Sequence, residues 1–135
     1  MRYVLFLILL MAGCSFSQGE RVIFNVTCDR FLEDKHLNWN VYLQPEDSLL
    51  ITLCSNSTTG FQWSESARIN DERVLTQVEH TYTPPQMEIP GAPGKESWVL
   101  TPLKKGKSVV SWEYSRPWVG GEKSEWTLTA TVVVE

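Results

Sequence analysis

From residue 21 to the end of the chain, apolar and polar residues alternate with the period of two that predicts β-strands. The clearest case is the last segment, SEWTLTATVVV, in which Trp126, Leu128, Ala130, Val132 and Val134 share one face. The same alternation predicts strands in seven further segments: RVIFNVT, LNWNVYL, SLLITLC, FQWS, RVLTQVEHTY, ESWVLT and SVVSWEY. Among these, SLLITLC is apolar almost throughout, as expected of a central strand that is covered on both faces.

Helix signals are weak, and only residues 65–73 fit a turn or one short helical stretch. Clusters of turn-forming residues separate the predicted strands, as in QPEDS, SNSTTG, TPPQMEIPGAPG, PLKKGK and SRPWVGGEK. Many short strands with no helices between them predict an all-β fold, an antiparallel β-sandwich of about seven to eight strands. We expect this single domain to occupy residues 21–135, after a short tether at residues 15–20.

Three of the predicted loops have unusual compositions. Asn56–Gly60 holds two adjacent threonines and is followed at once by Phe61 and Trp63. Thr83–Lys95 is long and rich in proline and glycine, and Arg116–Gly121 places a tryptophan in a turn, where it is costly to expose without a partner. Because loops held by a rigid scaffold commonly carry binding function, these three loops are the candidate binding residues.

Composition and charge argue against several classes of function. With 42% hydrophobic residues, the chain is too apolar for a disordered protein. A net charge of −4 does not fit a nucleic-acid-binding surface, which needs a basic face. We interpret His36 and His80 as surface histidines, because neither lies in a catalytic motif or in a cluster with metal-ligand spacing. We therefore expect no enzymatic activity, no metal and no cofactor.

The N-terminal segment at residues 1–14, MRYVLFLILLMAGC, is typical of an export signal. Arg2 precedes an apolar run that is too short for a permanent membrane span, which needs about 20 residues. The end of the segment, Met11–Cys14, resembles the cleavage box of bacterial lipoproteins, with Met11 where leucine is usual. This resemblance implies a lipid thioether on Cys14 and a protein anchored in the cell envelope. Ordinary signal cleavage, which gives a secreted or periplasmic protein, is the alternative.

Two further cysteines, Cys28 and Cys54, lie in the predicted domain. In an oxidising compartment they are expected to form one disulfide, and two buried free thiols are the alternative. Closing a loop of this span contributes roughly 3–4 kcal/mol to stability in the chain-entropy model.

The three unusual loops resemble, in order, the three binding motifs of the chagasin family, which inhibits papain-like cysteine peptidases. NSTTGFQW resembles N-P-T-T-G-x-x-W, GAPG at residues 91–94 resembles G-x-G-G, and RPW at residues 116–118 matches the third motif. The likeness runs from about Val22 to Glu135. It implies an immunoglobulin-like sandwich whose three loops, at one end, enter the cleft of the peptidase.

The resemblance implies a role in peptidase binding for the residues of all three motifs. Small, β-branched Thr58 and Thr59 are expected to approach the catalytic cysteine and histidine closely, with stiff side chains. Trp118 is expected to stack beside the primed side of the cleft, where Arg116 supplies polar or cation–π contacts. The complete set is Asn56, Ser57, Thr58, Thr59, Gly60, Gly91, Ala92, Pro93, Gly94, Arg116, Pro117 and Trp118.

Two aromatic residues that follow the first loop are assigned a supporting role rather than a binding one. Phe61 and Trp63 are expected to pack into the core beneath the first loop. Gly91 and Gly94 are expected to let the backbone of the second loop run along the substrate groove.

Two positions depart from the pattern of the family. Ser57 stands where proline is usual, so the first loop loses a fixed φ angle. Pro93 stands where glycine is usual, which removes a backbone N–H and favours an extended Ala92. Because Cys54 lies at the base of the first loop, a bridge to Cys28 is expected to restore some of the stiffness that Ser57 gives up.

Taken with the resemblance, the sequence predicts a reversible inhibitor of papain-like cysteine peptidases that acts by steric occlusion, as a monomer. The main alternative is a non-inhibitory immunoglobulin-like module that binds carbohydrate or a cell-surface protein, because this fold hosts many functions.

Overall fold

The computed structural model describes Gly13 and residues 18–135. The remainder of the predicted export signal, including Cys14, and part of the predicted tether lie outside the described residues. No helix in the described part of the chain has both the length and the hydropathy needed to cross a membrane.

The described residues form nine strands, one α-helix and one 3-10 helix. In chain order these are β1 Arg21–Asn25, α1 Cys28–Glu33, β2 His36–Leu43, β3 Ser48–Ser55, the 3-10 helix Ser57–Thr59, β4 Gln62–Trp63, β5 Arg68–Ile69, β6 Leu75–Thr83, β7 Gly94–Pro102, β8 Gly106–Ser115 and β9 Trp126–Val134. The strands make two sheets. One has the order β1-β3-β7-β6, and the other has the order β2-β9-β8-β4, with β5 also paired to β8. The all-β sandwich is therefore confirmed.

The sheets are mixed rather than purely antiparallel, which corrects one part of the prediction. β1 pairs with β3 in parallel and β2 pairs with β9 in parallel, whereas all the other pairings are antiparallel. The reason lies in the path of the chain. It leaves β1 through α1, returns along β2 in the opposite sheet, and comes back along β3, so that β1 and β3 run in the same direction.

A single core lies between the sheets, and it contains the alternating faces that the sequence predicted for β2, β8 and β9. The largest buried side chains are Trp98 and Trp112, and Trp63 packs against Trp98 with ring centroids 6.2 Å apart. β3 agrees only in part with the prediction of a strand covered on both faces. Its Leu49, Ile51 and Leu53 lie in the core, whereas Leu50 and Thr52 on the opposite face are half-buried. At the end of the strand Cys54 and Ser55 are buried as well.

A β-bulge changes which residues of β6 face inward. The sequence placed Val74, Thr76 and Val78 on one face, but Val78 is 58% exposed and Leu75 is buried. The register shifts between Gln77 and Glu79, and an extra residue in a strand exchanges its two faces. Residues 65–73 form bends and turns around the short strand β5, which agrees with the turn and not with the helical stretch that the sequence left open.

The sequence pattern missed helix α1. Thr27 caps its N-terminus, where the hydroxyl accepts a hydrogen bond from the N–H of Arg30 at 3.4 Å. Phe31 is the buried residue of the helix, and it contacts the rings of Trp63, Tyr114 and Trp126. The helix therefore covers the end of the sandwich at which β3 and β8 finish.

Candidate functional site

The three loops singled out in the sequence meet at one end of the sandwich. They follow β3, β6 and β8. The pairing of β3 and β6 with β7 brings the ends of β3 and β6 together. The end of β8 in the other sheet joins them where Tyr114 contacts Asn56. We call them loop 1 (residues 56–61), loop 2 (residues 84–93) and loop 3 (residues 116–125). α1 lies at this end as well, because it connects the end of β1 to the start of β2.

Loop 1 is a single turn of 3-10 helix that is organised by Asn56. The Oδ1 atom of Asn56 accepts hydrogen bonds from the N–H of Thr58 at 3.2 Å and from its hydroxyl at 2.6 Å. The hydroxyl of Thr59 donates to the carbonyl oxygen of Asn56 at 2.8 Å. Gly60 ends the turn with a φ of 80°, in the left-handed region that favours glycine. Both threonine hydroxyls are therefore used inside the loop to fix its shape.

Asn56 also joins loop 1 to loop 2. Its Nδ2 atom donates to the carbonyl oxygen of Gly91 at 3.0 Å, and Gly91 has a positive φ of 81°. Gly94 has a different reason to be glycine. It is buried at the start of β7, where a Cβ atom would lie 2.5 Å from the carbonyl oxygen of Thr83. Gly94 therefore permits the close approach of β6 and β7, while Pro93 is exposed and Ala92 is half-buried.

Arg116 joins loop 3 to loop 1. Its Nε and Nη2 atoms donate to the carbonyl oxygen of Thr59 at 3.2 and 3.1 Å, and its Nη1 atom pairs with Glu122 at 3.0 Å. The guanidinium also lies 4.6 Å from the centre of the Phe61 ring, a cation–π distance. The sequence assigned Arg116 to contacts with a target, but this side chain is occupied by contacts with loops 1 and 3 of the protein itself.

The carboxyl group of Glu122 stays ionised to low pH. A hydrogen bond from its own backbone N–H and the pairing with Arg116 hold the pKa of Glu122 below the ordinary value of 4.5. This pairing therefore persists in mildly acidic solution.

Trp118 is half-exposed and packs one edge against loop 1. A Cβ atom on Gly60 would lie 2.7 Å from Cη2 of Trp118, so glycine at position 60 makes room for the indole. The other part of the ring is open, with 51% of the residue exposed, and the neighbouring Val119 is fully exposed. Trp118 therefore combines an anchored edge with a free apolar surface.

Two residues that support the loops were missed as site residues in the sequence. The ammonium group of Lys123 donates to three carbonyl oxygens of loop 3, those of Arg116 at 2.7 Å, Trp118 at 2.8 Å and Gly121 at 3.1 Å. The hydroxyl of Tyr114 contacts both backbone groups of Asn56. The sequence carries no local signal for either role, since Tyr114 looks like an ordinary core residue of a strand and Lys123 like a solvated turn residue.

The predicted disulfide between Cys28 and Cys54 is present, with their Cα atoms 5.1 Å apart, so the free-thiol alternative is wrong. It connects the first residue of α1 to β3, two residues before Asn56. Phe61 and Trp63 lie behind loop 1 as expected. Trp63 is buried and donates its indole N–H to the carbonyl oxygen of Cys54 at 2.9 Å, while the half-buried Phe61 stacks on Tyr114.

His80 is not a surface histidine, which corrects the sequence interpretation. Its Nε2 atom lies 2.9 Å from the carboxylate of Glu96, which is buried and also accepts a hydrogen bond from Ser55 at 2.7 Å. The bulge in β6 turns His80 inward against the ring of Trp98. His36 is exposed, as predicted. Among the residues of known placement, no three His, Cys, Asp or Glu side chains form a group that could hold a metal ion.

Comparison with known proteins agrees with this architecture. Two curated relatives are chagasin from Trypanosoma cruzi and amoebiasin-2 from Entamoeba histolytica. Chagasin is 36% identical over 72 residues, which cover 52% of this chain and 66% of chagasin, just under two thirds of its length. Amoebiasin-2 is 29% identical over 103 residues, which cover 76% of this chain and 83% of the relative.

Two solved structures share the fold. The cysteine protease inhibitor EhICP2 from Entamoeba histolytica superposes with a TM-score of 0.67 at 24% identity, covering 86% of this chain and 96% of that chain. PbICP-C, solved in complex with falcipain-2, gives a TM-score of 0.57 at 16% identity, with coverage of 86% and 98%.

The model of the chagasin family, peptidase inhibitor family I42, matches residues 42–132. The matched residues include all three loops but neither α1 nor Cys28. Since the match spans more than half of the chain, the protein belongs to the chagasin family of peptidase inhibitors, which are not enzymes.

Proposed function

We propose that this protein is a reversible inhibitor of papain-like cysteine peptidases, which it blocks by placing loops 1, 2 and 3 in the catalytic cleft. The observation that carries the proposal is the direct linkage of the three loops. Asn56 bonds Gly91 across loops 1 and 2, and Arg116 bonds Thr59 across loops 1 and 3. A surface that is ordered before binding loses little conformational entropy on docking, and this raises affinity.

Loop 1 suits the narrowest part of such a cleft. Ser57, Thr58 and Thr59 are exposed and small, and the threonine side chains are stiffened by β-branching and by their hydrogen bonds to Asn56. The inhibition is steric, because the loop presents no group that is arranged to react with a thiol. In this proposal Thr58 and Thr59 lie against the catalytic cysteine and histidine of the peptidase.

Loops 2 and 3 flank this contact. Trp118, together with the exposed Val119, offers an apolar surface of the kind found at binding hot spots. Loop 2 offers an exposed backbone around Gly91, with Met87 and Ile89 exposed beside it. Arg116 acts in this scheme by holding loops 1 and 3 together rather than by contacting the peptidase.

Titration of the purified domain against papain tests the proposal. We expect saturable inhibition that is competitive with a small peptide substrate and is reversed by dilution. Cleavage of the inhibitor, or no inhibition of papain and several related enzymes, would contradict it. The second result would favour the non-inhibitory binding module.

We further propose that the protein is exported, that it is anchored in the cell envelope through a lipid on Cys14, and that it acts as a monomer. The sequence MRYVLFLILLMAGC supports the first two statements. Incorporation of a labelled fatty acid by the wild-type protein, but not by Cys14→Ser, would support the lipid anchor. Export without labelling would instead indicate ordinary signal cleavage. Size-exclusion chromatography of the domain measures its oligomeric state.

A further inference from the structure

A groove of about 470 Å³ lies beside the three loops, between α1 and the ends of β3, β8 and β9. Its lining is mostly apolar and includes the Cys28–Cys54 disulfide. The main apolar side chains along it are Phe31, Leu32, Phe61, Tyr114 and Trp126. We call this feature the α1 groove.

The α1 groove is continuous with the surface formed by the loops. Asn56 and Thr59 of loop 1, Pro93 of loop 2 and Arg116 of loop 3 also line it. A protein that sits on all three loops therefore extends over the opening of the groove. It must either leave an apolar cavity at the edge of the interface or place a side chain in it.

α1 is rigidly held at the rim of the groove. The disulfide attaches its first residue to β3, and Phe31 is 4% exposed and packed among aromatic rings. The next residue, Leu32, is 63% exposed. An isolated exposed leucine needs no explanation, but an exposed leucine at the rim of an apolar groove is typical of an interaction site.

The three loops and their motifs assign no function to helix α1. The residues that match the family model begin at position 42, after the helix, and the three loop motifs lie between positions 56 and 118. The loop motifs thus leave α1, Cys28 and Leu32 without a role at the binding end of this chain.

We propose that Leu32 and the α1 groove form a fourth contact with the bound peptidase, enclosing one apolar side chain that projects from the rim of the peptidase cleft. This inference rests on the proposed function, since it requires the loops to bind a peptidase. The groove exists before binding, so little ordering opposes the contact. It adds selectivity, because peptidases with a charged residue at that point of the rim are inhibited more weakly.

The test compares Leu32→Glu with Leu103→Glu. Leu103 is similarly exposed, at 57%, but it lies in the turn between β7 and β8 at the opposite end of the sandwich. Inhibition constants are measured for both variants and the wild type against papain and a panel of related peptidases. Circular dichroism and thermal unfolding verify that each variant is folded.

We expect Leu32→Glu to weaken inhibition of the most tightly bound peptidase by about ten-fold or more, the scale of burying one aliphatic side chain. Leu103→Glu should remain within about two-fold of the wild type, as for a surface change away from the interface. Inhibition by Leu32→Glu at the wild-type level would overturn the fourth contact and leave the proposed function intact. A wild-type protein that inhibits no member of the panel would overturn both.

Hydrogen exchange on the wild-type complex provides a second measurement that does not depend on the folding of any variant. Binding of the peptidase should slow exchange of the amides in Cys28–Glu33, while the turn around Leu103 should be unchanged. Unchanged exchange in α1, combined with slowed exchange in loops 1 and 3, would overturn the fourth contact.

Discussion

The hydroxyl group of Tyr114 holds both backbone polar groups of Asn56. It accepts a hydrogen bond from the N–H at 2.9 Å and donates one to the carbonyl oxygen at 3.2 Å. Asn56 in turn organises loop 1 and reaches loop 2, so a residue of the core strand β8 fixes the geometry of the binding end. Burial raises the pKa of this phenol above its ordinary value of 10.0, so the hydroxyl keeps its proton into alkaline solution.

Tyr114→Phe should therefore weaken inhibition while the fold is retained. The ring still packs on Phe31 and Phe61, but two backbone groups of Asn56 lose a partner, which costs about 1–3 kcal/mol. Urea unfolding measures the loss of stability, and the inhibition constant for papain measures the effect on the loops. Tyr42→Phe is the matched control, because Tyr42 is exposed and lies far from the loops on β2. Equal inhibition by Tyr114→Phe and Tyr42→Phe would show that the hydroxyl does not position the loop.

The contact between Trp118 and Gly60 leads to a second prediction. Trp118→Ala should weaken inhibition by at least about 2 kcal/mol, the threshold for a hot spot, without unfolding the domain, because the side chain is half-exposed. Gly60→Ala should also weaken inhibition, since it strains a positive φ and displaces the indole. In a double-mutant cycle the two changes should be less than additive. Full additivity would mean that the indole and Gly60 act independently.

Protonation of Glu122 should release loop 3 at low pH. Because the folded pKa is lowered, the contribution of the ion pair with Arg116 is present above the ordinary pKa of 4.5 and is lost as the pH falls through the lowered value. We expect Glu122→Gln to inhibit more weakly than the wild type between about pH 5 and 7, and the difference to disappear on further acidification. The ratio of the two inhibition constants at each pH cancels the titration of the peptidase itself. A ratio that stays constant down to pH values at which carboxylates protonate would contradict this role.

Ser57→Pro should make loop 1 more rigid and tighten inhibition. Ser57 is the first residue of the 3-10 helix, a position where proline fits and no intrahelical partner for the N–H exists. The preceding residue, Asn56, is extended, with φ −124° and ψ 92°, and so lies outside the helical region that a following proline disfavours. A gain of about 0.4–1 kcal/mol in the free energy of unfolding is expected. Lower stability of Ser57→Pro, or weaker inhibition at equal stability, would contradict the idea that serine at position 57 leaves loop 1 less rigid than proline would.

Loss of the disulfide should affect binding as well as stability. Reduction frees α1 from β3 close to Asn56, so inhibition should weaken together with a loss of roughly 3–4 kcal/mol of stability. The double variant Cys28→Ala/Cys54→Ala should inhibit more weakly than the oxidised wild type, and it should be indifferent to reductant. Peptidase assays contain reductant, so each protein is first bound to the enzyme in its absence. The rate at which the complex dissociates is then compared with and without added reductant, for the oxidised wild type and for the double variant. An equal loss of inhibition by both proteins on adding reductant would show that the effect arises in the peptidase.

The alternation of residues predicted most of the strands, because each strand buries one face and leaves the other near solvent. It could not predict the exchange of faces in β6, since a bulge depends on the pairing of Gln77 and Glu79 with β7 and leaves no mark in the local pattern. α1 was missed for a related reason. Six residues are too few to show a helical period, and the helix is held by a disulfide and by the packing of Phe31.

The meeting of the three loops at one end of the sandwich was predicted, but the contacts among them were not. Short motifs identified the three loops, because two adjacent threonines followed at once by large aromatic residues, and a tryptophan in a turn, are unusual. The use of Arg116 within the molecule could not be foreseen, since its partner Thr59 lies 57 residues away. Lys123 and Tyr114 were missed because their roles depend on backbone carbonyl and amide groups, whose positions the sequence does not reveal.

The direction of β1 has a consequence for the orientation of the molecule in the cell. β1 runs parallel to β3 toward the loops, so the chain enters the domain at the end farthest from them, near the turn at Glu46 and Asp47. β3, which runs beside β1 from that end to loop 1, has eight residues and spans about 26 Å. If Cys14 carries a lipid, as we propose, the loops lie at the end of the domain that is farthest from the anchored end. An anchored molecule would then intercept peptidases arriving from the surrounding fluid rather than those embedded beside it.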